Sequence, residues 1–236
     1  MKTKLLFSVL FTLSLTVYSQ TLDSEDFNSL TIGDISGDLT GATPGQGGFL
    51  IFGNNGSGTS TNSATSNYQV VAGGNNSSQG VQITSPDGDT GVHFLFKPID
   101  SEWTARIAGN DIVELEFSFF TGSTTSAAPF RAIVFGDNAG AGATAVGLQY
   151  DPSTRELSGL ATLSVSGTAG LYSFNLGVEN LDFSNSDFIL GANTWYRVGC
   201  SYDNITGAVE WKATGTNLVS FYDVDLVIPG IVPLEI

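Results

Sequence analysis

Cysteine, histidine and basic side chains are the scarce residues of this 236-residue chain, which holds one Cys, one His and eight Lys plus Arg. A single cysteine, Cys200, has no partner for an intrachain disulfide, so a folded domain has to rest on its apolar core. Cys200 falls on the inward side of a strand pattern and reads as a small buried hydrophobe rather than a nucleophile. A single histidine, His93, means that Ser-His-Asp, Cys-His and multi-histidine metal centres could be built only around that one ring. Neither HExxH nor a nucleophile elbow accompanies it, so it reads as a packed or surface side chain of the strand at residues 92–96. Against the eight basic residues stand 23 acidic ones, for a net charge of −15. The Lys/Arg clusters that hold nucleic acid or anionic membranes are missing.

Long apolar runs are scarce as well. The one at the start follows Lys2 and Lys4, spans residues 5–15 and gives way to Val17-Tyr18-Ser19. That order, basic then apolar then small, is a secretory signal, too short to span a bilayer as a helix. Cleavage is expected after Ser19, leaving Gln20 as the new terminus and residues 20–236 as a single domain. Removal of the two lysines leaves 8 − 2 = 6 basic residues against 23 acidic ones, a net charge near −17. Such a surface favours solubility and agrees better with divalent cations than with an acidic substrate.

Helical periodicity is absent too, while glycine is abundant, 29 in 236 residues, far above the usual ~7%. With much Thr, Ser and Asn this composition predicts many turns and short strands. Strand patterns occupy residues 68–72, 92–96, 112–120, 130–135, 145–150, 157–165, 171–176 and 220–227. Residues 151–154 read as the loop of a hairpin. The polar stretches 54–67 and 73–80 cannot bury enough apolar surface to offset their ordering entropy and are expected to be mobile.

The most informative stretch is 193–214. Tyr196, Val198, Cys200 and Tyr202 share one parity, Arg197, Gly199, Ser201 and Asp203 the other, which marks a half-buried strand. Asn204 to Gly207 supplies a turn, and a second arm turns Val209, Trp211 and Ala213 inward with Glu210 and Lys212 outward. This hairpin, with a Trp opening a strand, an aromatic-Asp and a Gly turn, resembles the late hairpin of concanavalin A-like (laminin G-like) proteins. The resemblance implies an all-β fold, an antiparallel jelly-roll β-sandwich. Lectins, glycosidases and adhesive modules share that architecture, so it does not choose the activity.

Residues 23–49, with the run Gly-Asp-Leu-Thr-Gly-Ala-Thr-Pro-Gly-Gln-Gly-Gly, are similar to the opening of secreted proteins of Bacteroidetes-type bacteria that are cargo of type IX secretion. The resemblance continues through Trp103, Arg106, residues 109–111 and the hairpin, and implies an extracellular or cell-surface address. The usual sorting domain does not follow residues 232–236, which leaves two expectations open, a shorter relative or a sandwich lacking its closing strand.

Three clusters carry candidate chemistry. Glu114 and Glu116 share one face of a strand with Cα atoms roughly 7 Å apart, and retaining glycosidases need carboxyls about 5 Å apart. The glycosidases of this fold place a third acid on that face, where this chain has Ile112 or Ser118. The alternative is a strand with Val113, Leu115, Phe117 and Phe119 inward and both carboxylates in solvent. Trp103 and Arg106 could form a sugar platform or could stack on each other and hold a loop; Tyr150, Tyr172 and Trp195 share that ambiguity. Asp87 and Asp89 offer oxygen ligands for calcium, in a segment that also reads as an ordinary turn. The expected function is a secreted, non-catalytic, lectin-like module binding polysaccharide or a cell-surface glycan, or adhesive. The alternatives are a glycoside hydrolase or polysaccharide lyase, and a ligand-free export-cargo domain.

Overall fold

The computed structural model describes residues 20–123, 128–177, 188–213 and 219–236. The expected signal and its cleavage point after Ser19 lie outside the described residues. In chain order the strands are β1 (Gly33–Asp34), β2 (Leu50–Asn54), β3 (Tyr68–Ala72), β4 (Gln79–Ile83) and β5 (Val92–Phe96). A five-residue helix α1 (Asp100–Thr104) follows, then β6 (Ile112–Phe120), β7 (Phe130–Asn138), β8 (Ala141–Asp151), β9 (Glu156–Val165) and β10 (Thr168–Asn175). The last five are β11 (Phe188–Ile189), β12 (Trp195–Asp203), β13 (Val209–Ala213), β14 (Val219–Phe221) and β15 (Val232–Glu235).

The protein is all-β, and every strand pairing is antiparallel. One sheet runs β10-β9-β8-β7-β15 with β11 beside β9, and a second runs β14-β13-β12-β6. Between them lies the larger core, which includes Val134, Val146, Leu148, Leu163, Phe174, Val198, Tyr202 and Trp211. Sequence parity puts these residues there: β12 buries Val198, Cys200 and Tyr202, and β13 buries Val209, Trp211 and Ala213. At about 25 cal/mol per Å² of apolar surface, burial of such bulky side chains supplies the driving force that holds the sandwich together. Tyr202 is buried, its hydroxyl donating to the Ile228 carbonyl at 2.7 Å.

The C-terminal strand closes an edge. β15 pairs with β7 at Phe135, Gly136 and Asp137. On its other side it exchanges backbone hydrogen bonds with Lys97 and Ile99. The apolar segment expected to be a strand at 220–227 divides instead: β14 ends at Phe221, and the Asp223 carbonyl accepts from the Leu226 and Val227 amides in a turn.

A smaller core was not anticipated. The three-stranded sheet β1-β3-β4 and the two-stranded sheet β2-β5 enclose Ile35, Ile51, Tyr68 and Val70, all at most 1% exposed. The loop at 55–63, expected to be mobile, is tied down by side chains. Asp87 accepts from the Thr61 amide at 2.6 Å and its hydroxyl at 2.8 Å, and Asp89 accepts from the Thr59 amide at 3.1 Å and its hydroxyl at 2.8 Å. Long-range bonds from carboxylates to loop backbone replace the missing apolar burial. The end of the second polar stretch, from Gln79, is strand β4.

Candidate functional site

The outer face of the four-stranded sheet is where exposed aromatic and charged side chains meet. Two-residue periodicity turns Ile112, Glu114, Glu116, Ser118 and Phe120 of β6 away from the core. In β12 the residues opposite them are Asp203, Ser201, Gly199, Arg197 and Trp195. Lys212 and Glu210 of β13 extend the Gly199 and Ser201 rows. The face therefore passes from an aromatic end, through a basic and acidic band, to an acidic end.

At the aromatic end Trp195 and Phe120 are directly paired, ring centroids 5.5 Å apart at 50°. They remain 37% and 48% exposed. The loops that carry them are stitched beyond the strand ends, because Thr121 N donates to Thr194 O at 3.0 Å and Asn193 N to Gly122 O at 2.8 Å. The Thr121 hydroxyl also donates to the Gly191 carbonyl at 2.8 Å. The Trp195 ring is thus presented on backbone held from both sides, which lowers the ordering cost of stacking a ligand on it.

Next to the aromatic pair, Arg197 donates through Nε to Glu116 Oε1, a diagonal contact between neighbouring strands. That hydrogen bond, ahead of the guanidinium charge, holds the Glu116 carboxyl below its ordinary range. Both side chains are more than half exposed, so the pair acts as a positioned donor and acceptor rather than as a stabilising bridge. Gly199 lies between Glu116 and Lys212. A Cβ there would stand 3.3 Å from Leu115 O and 3.6 Å from Glu116 Cγ, so the glycine sits closely against β6 with no side chain of its own on the face.

The positions of the sequence candidates follow from these registers. Glu114 and Glu116 lie on the open sheet face, with Ile112 and Ser118 where a third acid would stand. A retaining or inverting general acid needs a raised pKa; Glu116 is displaced the other way by Arg197. Trp103 is 3% exposed, and its ring carries the Arg106 guanidinium 4.0 Å from the centroid. Arg106 is further held by the Trp103 carbonyl at 3.0 Å, the Asn110 carbonyl at 2.9 Å and Asp111 at 2.7 Å. This is the stacked, loop-holding arrangement, and it leaves no open indole face for a sugar.

Asp87 and Asp89 spend their carboxylate oxygens on the Thr59–Thr61 backbone and hydroxyls, which hold both pKa values below the ordinary aspartate range. No group of three or more His, Cys, Asp or Glu side chains able to hold a metal occurs among the described residues. His93 donates from Nδ1 to the Thr84 carbonyl at 2.5 Å and packs on Tyr68. Cys200 is buried and its thiol is pushed up to about 12 by desolvation. Tyr150 packs on Phe119 inside the sandwich.

Phe120 and Arg197 belong to no motif in the sequence, and Trp195 stands there as one ambiguous aromatic among several. Their signal was available in the parity that places Trp195 with Arg197 and Phe120 with Glu116. The cross-strand register that makes neighbours of them was not. Comparison with protein-family models, curated proteins and solved structures finds no match for this chain.

Proposed function

We propose that the protein is a non-catalytic, lectin-like module that binds a glycan on the open face of the four-stranded sheet. The observation that carries this reading is the exposed Trp195–Phe120 pair beside the Arg197–Glu116 pair. A pyranose ring has an apolar face for an indole and hydroxyls at its rim for a planar donor and a carboxylate. Gly199, which has no side chain, and Ser201, which has a small one, let a sugar lie flat on β12. With Glu114, Glu210 and Asp203 on the same face, the glycan is neutral or cationic rather than a polyuronate or sulfated chain.

The architecture expected from the resemblance, a concanavalin A-like jelly roll, belongs to the same proposal. Support comes from the nine-residue pairing of β6 with β12, strands separated by the whole β7–β10 meander. The address is likewise proposed: an exported protein, extracellular or on the cell surface, on the strength of the basic-apolar-small order of residues 1–19. Among the described residues no helix is long and apolar enough to cross a membrane.

A glycan array probed with the purified protein tests the reading. Binding to neutral or amino-sugar glycans, lost in Trp195→Ala and weakened in Arg197→Gln, is the expected result. Binding that survives Trp195→Ala, or an array with no positive glycan, would reject it. A hydrolysis screen separates the enzymatic alternative, since turnover abolished by Glu114→Gln or Glu116→Gln would make the face an active site.

A further inference from the structure

A second surface lies along the free edge of β6. The N-terminal sheets and the sandwich meet around an open cleft of about 2170 Å³. Its walls include unbroken runs: residues 91–96, 112–117 and 128–133 all line it. A strand that shows a face to a cavity contributes every second residue; one that contributes all of them shows its edge. Three strand edges therefore look into this cleft.

Those edges are unpaired among the described residues. β5 pairs with β2 alone and β6 with β12 alone. β7 pairs with β8 along its length but with β15 only at Phe135, Gly136 and Asp137, which leaves the stretch from Phe130 to Ile133 open on that side. Directly after β5 the same chain already holds a strand, with Lys97 N donating to Ile236 O at 2.8 Å and Ile99 N to Leu234 O at 2.8 Å. Free N–H and C=O groups in a row are a template for one more strand.

The cleft's side chains specify the guest. Phe94, 53% exposed, stacks on Phe52 on one wall, and Phe130, 37% exposed, packs on Phe117 and Phe119 on another. The lining carries eight side-chain carboxylates against two guanidinium groups and one imidazole; Asp23, Asp111 and Glu116 already face a cation of this chain and Asp87 and Asp89 hold the Thr59–Thr61 loop, which leaves Glu25, Glu114 and Glu235 for a basic guest. Glu235, which lines the cleft, forms none of the described ion pairs, and burial raises its pKa.

We propose that this cleft accepts an extended segment of a partner protein by strand addition, and that the segment alternates apolar with basic residues. Backbone hydrogen bonds to the free edges supply the affinity, aromatic walls take the apolar side chains and the acidic lining takes the Lys or Arg side chains. The cleft shares Glu114 and Glu116 with the glycan face, but Trp195, Phe120 and Arg197 do not line it, so Trp195→Ala separates the two proposals.

Three synthetic peptides of about eight residues test it by fluorescence anisotropy on the purified protein: alternating Val-Lys, alternating Val-Glu, and Val-Lys with every second amide N-methylated. The Val-Lys peptide is expected to bind saturably and more weakly as salt rises. N-methylation, which keeps charge and side chains but removes one edge of donors, is expected to weaken it more than about tenfold. The surface substitution Phe94→Ser is expected to weaken it several-fold, and Val-Glu is expected not to bind. Absence of saturable binding by Val-Lys, equal binding of its N-methylated form, or equal binding by Phe94→Ser would each overturn the proposal.

Discussion

Trp211 donates its indole N–H to the Gly147 carbonyl at 2.8 Å, fully inside the protein and from one sheet of the sandwich to the other. The same ring fills the place a side chain on Gly159 would occupy: a Cβ there would lie 2.5 Å from Trp211 Cε2 and 2.7 Å from Cδ2. Gly147 and Gly159 belong to the neighbouring strands β8 and β9, so one tryptophan couples three strands and both layers. Gly159→Ala is predicted to destabilise the protein by about 1–3 kcal/mol, because a rigid ring held by its own hydrogen bond cannot yield. Urea denaturation followed by tryptophan fluorescence measures it; an unchanged midpoint would show that the layers are not locked at this point.

Alkaline pH should erode both cores. Burial pushes the Cys200 thiol from 9.0 to about 12, and the Tyr68 and Tyr202 phenols from 10.0 to about 12. In each case the unfolded chain loses its proton first. Stability contributed by these neutral groups is therefore complete below about pH 9 and is lost progressively as pH rises towards about 12. Urea midpoints measured across that window are predicted to fall, and Cys200→Ala to delay the onset towards pH 10. A midpoint flat to pH 11 would contradict the burial of these groups.

The thiol offers a second, kinetic reading. Cys200 is predicted to resist a thiol reagent at neutral pH in the folded protein and to react at once in urea. Labelling of the native protein at the rate of a free thiol would mean that the sheet between β6 and β13 opens readily.

How far the sequence reached is clearest on β12 and β13. Their parity placed Val198, Cys200, Tyr202, Val209, Trp211 and Ala213 inward, and all are buried. The bounds of β3, β5 and β6 also coincide with their patterns. Period two is a local property, and local properties are legible. The small N-terminal core was not, because Ile35, Ile51 and Tyr68 stand in short strands separated by polar loops whose order depends on Asp87 and Asp89, some 25 to 30 residues away. For the same reason Trp103 and Arg106 drew attention as neighbours in sequence, whereas Trp195 and Phe120, 75 residues apart, became neighbours only through the register of β6 on β12.

Loop order gives another test. Asp87→Ala and Asp89→Ala are each predicted to expose residues 55–63 to rapid hydrogen exchange and to proteolysis, with little change elsewhere. Because both carboxyl pKa values are depressed, the clasp is complete above the ordinary aspartate pKa of 3.8 and weakens as pH falls below it. Added calcium is predicted to leave the melting temperature unchanged, since the ligand oxygens already hold Thr59 and Thr61; a rise saturating with calcium would make this loop a cation site instead.

Electrophoresis through gels containing a neutral polysaccharide is the most direct trial of the proposed glycan-binding face. The wild-type protein is predicted to be retarded, and Trp195→Ala to run as it does in a gel without polysaccharide while keeping the same urea midpoint. Equal retardation of the two proteins, or no retardation of either in any neutral or amino-sugar polymer, would contradict the assignment of this face.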